Sequence, residues 1–142
     1  MKIHVITIGK PKLSYAQAGW EEYWSRLSHY HQVRVTHIAD KHNDAAHILE
    51  AAGSAYKVAL AIEGKQFSSE ELSEFLQRHE RMSKEVAFII GGPEGLPAEV
   101  INRANHHLSL GKLTLPHDLA MVVVLEALYR ASTINSGHPY HK

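Results

Sequence analysis

The chain has 142 residues, fifteen basic against fifteen acidic, 44% apolar side chains and no cysteine. That length suits one domain, residues 1–142, able to bury about 70% of the surface that the unfolded chain exposes. Disulfides and thiolate chemistry are excluded, and the balanced charge offers no globally basic face to nucleic acid.

Met1 to Gly9 holds an apolar run too short for a signal peptide and reads as a first strand. After the loop Gly9-Lys10-Pro11-Lys12, a helix is predicted from Leu13 to about Ser28, with Trp20 and Trp24 on one face. Val33, Val35 and His37 alternate with polar neighbours, which predicts a strand near a sheet edge. Asp40 to Asp44 reads as a loop and Ala45 to about Ala55 as a helix. Lys57 to Ile62 is nearly all apolar and so is expected to be a central strand. Ser68 and Glu71 fit a capping box and predict a helix from Ser69 to about Arg81. Val86 to Ile90 is the fourth strand, Pro97 opens a short helix, and Leu108 to Leu110 is a short fifth strand. This βαβαβαβ order predicts an α/β fold, a mostly parallel sheet flanked by helices.

The last predicted helix, Leu119 to about Ser136, is apolar all the way round through Leu125. Such a helix has to be covered on every side, and with no spare chain a second copy of the protein is the economical cover. Its apolar stretch is far below the ~20 residues that cross a bilayer, so a cytoplasmic protein without a membrane partner is expected.

Two bends carry the chemistry. Val86-Ala87-Phe88-Ile89-Ile90 runs into Gly91-Gly92-Pro93-Glu94-Gly95, and a strand that breaks into glycines is where α/β sheets open a ligand crevice. Farther on, Leu108-Ser109-Leu110-Gly111-Lys112-Leu113-Thr114-Leu115-Pro116-His117 repeats the pattern of apolar run, glycine and proline exit. Neither G-x-x-x-x-G-K-[ST] nor G-x-G-x-x-G is present, which disfavours a nucleotide-phosphate cradle or a dinucleotide fingerprint. A backbone-lined pocket for something not mainly phosphate remains, and a side chain at Gly92 is expected to take space that the ligand needs. Taken alone, Gly-Gly-Pro is also the composition of a plain strand-to-helix connection.

Both ends of the chain are mildly basic and rich in histidine, through Lys10, Lys12, Arg130 and Lys142 among others; brought together they would form a local phosphate-facing patch. His138 and His141 with His106 or His107 have no carboxylate or cysteine at a useful spacing, so no metal site is expected.

The motifs Ile89-Ile90-Gly91-Gly92-Pro93-Glu94-Gly95, Leu108-Ser109-Leu110, Thr114-Leu115-Pro116-His117, Leu125-Glu126-Ala127-Leu128-Tyr129-Arg130-Ala131 and Pro139-Tyr140-His141-Lys142 together resemble the RlmH (YbeA) family. These are SPOUT-class methyltransferases acting on N3 of a pseudouridine in large-subunit (23S) ribosomal RNA. The resemblance covers the whole chain. It implies a C-terminal trefoil knot over about residues 86–142, an S-adenosylmethionine cofactor, and a homodimer whose chains build each active site jointly. It implies a cofactor pocket lined by Leu60, Gly91, Gly92, Leu110, Gly111, Lys112, Leu113, Thr114 and Leu115, and ribosomal RNA within a ribosomal particle as the partner. Met121 stands where that family usually carries an arginine.

Methylating an imide nitrogen requires donor and acceptor in contact and removal of the N3 proton. The tail Gly137-His138-Pro139-Tyr140-His141-Lys142 supplies residue types for this, after a helix expected to end near the pocket. Tyr140 and His141 are the catalytic candidates at the base, His117 is a second, and Lys142 is expected to meet phosphate, with Arg130, Lys10 and Lys12 as further RNA contacts. A competing reading is a non-catalytic RNA-binding module that kept the fold. Intact glycine and tail motifs argue for the enzyme.

Overall fold

Strand β4 (Val86–Ile90) is buried at every position, and the sheet is built outward from it in the computed structural model, which describes residues 1–142. The other strands are β1 (Lys2–Ile8), β2 (Gln32–Ile38), β3 (Tyr56–Gln66) and β5 (His106–Ser109). The helices are α1 (Ser14–Ser28), α2 (Ala45–Ala52), α3 (Ser69–Arg81), α4 (Ala98–Arg103) and α5 (His117–Ser136), and a 3-10 turn spans Asp40–His42. Every strand pairing is parallel, in the order β2-β1-β4-β3-β5. None of the helices is long and apolar enough to cross a membrane.

Strand pleating divides the core in two. Ile3 and Val5 of β1 and Val86, Phe88 and Ile90 of β4 face α1, α3 and α5. Ile6, Ile8, Ala87 and Ile89 face the opposite layer, where Ile48 and Ala52 of α2 and Val100 of α4 meet them. Phe88 is wholly buried, so its truncation to alanine costs about 3–5 kcal/mol through lost contacts and the cavity left behind.

The structure corrects several expectations. Strand β3 lies inside the sheet as expected, but the middle position belongs to β4, which is buried at all five residues, whereas β3 is buried only at Val58 and Ala59. Helix α2 stops at Ala52, where Gly53 takes φ +57° as its C-cap. Strand β5 begins at His106 because His106 and His107 pair with Val58 and Ala59, backbone bonding that is indifferent to side-chain polarity. Pairing then jumps from Leu60 to Lys65, so Ala61 to Gly64 bulge out of β3 and the strand resumes to Gln66. Gly64 permits this crossing, since a Cβ there would stand 2.7 Å from the His107 backbone.

Most of the cover for α5 comes from the chain itself. α1 and α3 pack on either side of it and bury Met121, Val124, Leu125, Leu128 and Ala131. Gly19 of α1 lets the helices approach closely, because a Cβ there would lie 2.9 Å from Val122. What stays only half-buried is an edge made of Leu119, Val122, Val123 and Ala127. Met121 is fully buried, so it faces the core and not a nucleic acid.

Candidate active site

The carboxyl ends of β3, β4 and β5 open onto a cavity of about 520 Å³. This lies within the ~300–1,000 Å³ of small-molecule sites. The chain steps inward from β3 to β4 and then back outward past β3 to β5, and such reversals are where α/β sheets bind ligands.

Leu60, Ala61 and Ile62 form one wall, Ile90 to Pro93 with Gly95 and Leu96 a second, and Leu108 to His117, except Ser109 and Lys112, a third. Eight of the nine residues expected to line a cofactor pocket are therefore brought together: Leu60, Gly91, Gly92, Leu110, Gly111, Leu113, Thr114 and Leu115. Lys112 is the exception; it is exposed and off the cavity wall, since its neighbours turn inward around Gly111, whose φ of +134° only glycine adopts readily. Ser109 holds that bend, its Oγ accepting from Gly111 N and donating to Gly111 O, both at 3.1 Å.

The first bend is tighter. Gly95 N donates to Gly92 O at 2.9 Å, and a Cβ on Gly91 would stand 2.7 Å from the Gly95 carbonyl carbon. Gly91 must therefore stay bare for the turn to close. The expectation that a side chain at Gly92 would enter ligand space is overturned: its Cβ would point at the Ile8 side chain, 3.2 Å away. The neighbouring layer supports the turn, with Asn43 Nδ2 donating to Gly95 O at 3.3 Å.

His117 is the only ionisable side chain on the cavity wall. Polar contacts to a ligand must come from it, from Thr114 and from the backbone. Apolar walls with exposed main chain suit a flat heterocycle held by its edge, as the adenine of S-adenosylmethionine would be. Leu113 is 82% and Ile62 55% exposed at the rim, large apolar groups left for a ligand or partner to cover.

Sequence reasoning missed Asp118. It is 3% exposed, and its Oδ2 accepts from Lys12 N and Leu13 N, both at 2.8 Å. Helix α1 has no side-chain cap of its own, and this carboxylate from 105 residues away serves its N-terminus. Nothing in a linear pattern marks such a contact.

Placement of the tail differs from expectation. The start of α5, not its end, is at the cavity, and twenty helical residues at about 1.5 Å each carry the chain some 30 Å away. Gly137, at φ +75°, ends the helix and the tail folds back along it. Tyr140 Oη donates to Glu126 Oε2, its ring lies 4.7 Å from that of Tyr129, and the Arg130 guanidinium stacks on it at 4.8 Å. Burial foremost, then contact with Tyr23 and Glu126, pushes the Tyr140 phenol well above its ordinary pKa, so it is a donor and not a phenolate. His141 sits between Arg130, 3.3 Å from Nδ1, and Glu70, 3.0 Å from Nε2. Arg130 is also paired with Glu126 at 3.1 Å, whereas Lys12 makes only a long exposed pair with Asp40 at 3.7 Å, and Lys10 and Lys142 are exposed. Within one chain, the tail and the cavity are separate.

The single group of three metal-capable side chains that converges is His42, Asp44 and His47, with ligand atoms within 4.8 Å of one another. Capping accounts for it: Asp44 accepts from His47 N at 2.9 Å and from His47 Nδ1 at 2.8 Å, and the His42 ring stacks on His47.

Residues 1–141 match the family model described as "Predicted SPOUT methyltransferase". Ribosomal RNA large subunit methyltransferase H of Deinococcus radiodurans is 50% identical, the alignment covering all of this chain and 99% of that protein. The protein of the same name from Bacillus cereus (strain ATCC 10987) is 44% identical with both chains fully covered. Among solved structures, a probable methylase family protein from Haemophilus influenzae superposes with a TM-score of 0.65 at 13% identity, over 99% of this chain and 70% of that one. A putative methyltransferase from Legionella pneumophila, in complex with bound cofactor SAM, gives 0.53 at 18% identity over 92% and 66%. At those identities the likeness is one of fold.

Proposed function

The chain belongs to the SPOUT methyltransferase family, and from that premise we propose that it methylates N3 of a pseudouridine in large-subunit ribosomal RNA, within a ribosomal particle, as a homodimer in the cytoplasm. That it is an S-adenosylmethionine-dependent ribosomal RNA methyltransferase follows from the family and from relatives matched end to end. The observation that carries the finer reading is the cavity itself, bounded by both glycine bends and holding one ionisable side chain, His117.

When bound, the cofactor supplies an electrophilic methyl group. The glycine bends orient it through main-chain groups, and the apolar rim of Ile62 and Leu113 excludes water once covered. A pyrimidine imide presents two carbonyl oxygens and one N–H, so its recognition calls for donors and one proton acceptor. Tyr140 is such a donor once its O–H turns from Glu126 to the base, and Tyr140 with His141 is supplied by the tail of the second copy, since α5 carries a chain's own tail away from its own cavity. Lys142, Lys10, Lys12 and Arg130 are the phosphate contacts, and the knot over residues 86–142 is part of the same proposal.

Labelled methyl transfer into unmodified ribosomal particles, with the product base identified, tests this. Label at pseudouridine N3 is the expected result; label on another nucleotide, or cofactor binding without turnover on any particle, overturns it.

A further inference from the structure

Asp118 and His117 are neighbours at the first turn of α5, yet their side chains work in different surroundings. Oδ2 of Asp118 is saturated by the backbone N–H groups of Lys12 and Leu13. Those two bonds hold the loop between β1 and α1 against α5, and the carbonyl of an asparagine would still accept both, though without the carboxylate's charge. Oδ1 is buried and makes no hydrogen bond. His117 Nε2 stands 3.2 Å from it, at ion-pair distance though off the hydrogen-bonding line. Burying a carboxylate oxygen without a donor is costly, so a small ring rotation that brings Nε2–H onto Oδ1 is favoured. A carboxylate beside one imidazole nitrogen fixes the proton there and leaves the other nitrogen as an acceptor.

We propose that Asp118 is a positioning residue for methyl transfer: it holds His117 as the Nε2–H tautomer on the cavity wall, so that Nδ1 is the proton acceptor for the substrate imide. The substrate N3 gives its proton to Nδ1 and gains the methyl group, and the electron pair of the broken bond stays on sulfur. The imidazolium so formed lies against Asp118, in a cavity wall with no other charge. The same carboxylate anchors the loop carrying Lys10 and Lys12, so it couples the proposed RNA-contacting loop to the reacting group. The kinetic part rests on the function proposed above; the tautomer does not.

Asp118→Asn is the test, because it keeps an acceptor for Lys12 N and Leu13 N while presenting an amide donor to His117. Nitrogen-15 NMR of the imidazoles should show His117 as Nε2–H in the unaltered protein and Nδ1–H in the variant. S-adenosylmethionine affinity should stay within about twofold, and kcat on ribosomal particles should fall by roughly 10²-fold, with no further loss on adding His117→Gln. Unchanged kcat, an unchanged tautomer, or a kcat loss matched by weaker cofactor binding would each reduce Asp118 to a structural cap. Should the variant fail to fold, the tautomer of the unaltered protein decides the assignment, Nδ1–H overturning it. An unaltered protein with the Nε2–H tautomer that methylates no particle sinks the ribosomal reading instead.

Discussion

Tyr140 Oη lies 3.1 Å from Glu126 Oε2, so the last residues of the chain are docked on the middle of the helix that precedes them. A tail placed there leaves its own cavity untouched, and in a homodimer it is available to the cavity of the other copy. Deleting Tyr140 to Lys142 should therefore leave S-adenosylmethionine affinity within about twofold, as read by calorimetry, and lower methylation by about 10²-fold or more. Full-rate methylation by the shortened chain would move the chemistry entirely to His117.

The two glycines of the first bend should respond differently to a methyl group. Gly91→Ala puts its Cβ 2.7 Å from backbone at Gly95, which cannot give way without opening the turn; Gly92→Ala meets the Ile8 side chain at 3.2 Å, which has to shift by only tenths of an ångström. Calorimetric titration should show cofactor binding lost in the first and weakened less than about tenfold, ~1.4 kcal/mol, in the second. The reverse order would show that the bend does not shape the pocket.

A charge at the half-buried edge of α5 should act on assembly. Val123→Glu would put a carboxylate among Leu119, Val122 and Ala127. Sedimentation should show the dimer dissociation constant raised at least ~10-fold and methylation falling with dimer content. A monomer from the unaltered protein at micromolar concentration would rule out the shared site.

Acid should loosen the fold through histidines buried neutral. His31 is pushed down to about 4, first by burial and then by the N-terminal ammonium, and its Nε2 donates to Ser132 Oγ at 2.8 Å. His4 and His37 are lowered too, both chiefly by burial. With folded pKa values below the ordinary 6.5, the unfolded chain binds more protons, so stability is full above that pH and is lost as pH falls toward 4. Melting temperatures should drop steadily from pH 7 to pH 4.5, and less steeply in His31→Gln. Parallel slopes would show that His31 carries none of this dependence.

Local chemistry made much of this protein legible in its sequence. Ser68 and Glu71 form the capping box that starts α3, and the unbroken apolar run of β4 foretells a strand covered on both faces. Gly91 and Gly111 mark bends that proved to bound one cavity. All of these are short-range effects, settled by backbone freedom and hydrophobic pattern within a few residues.

Other features depend on residues far apart in the chain, and only the tertiary structure decided them. Strand order came from backbone pairing between distant segments, which sets β4 between β1 and β3. Lys112 left the pocket because the Gly111 bend turns it outward, and the tail docked at Glu126 because Gly137 reverses the chain there. Asp118 is the sharpest case. Its partners, Lys12 and Leu13, contribute backbone N–H groups that every non-proline residue carries, so no residue type in the sequence records that a buried carboxylate will sit beside His117.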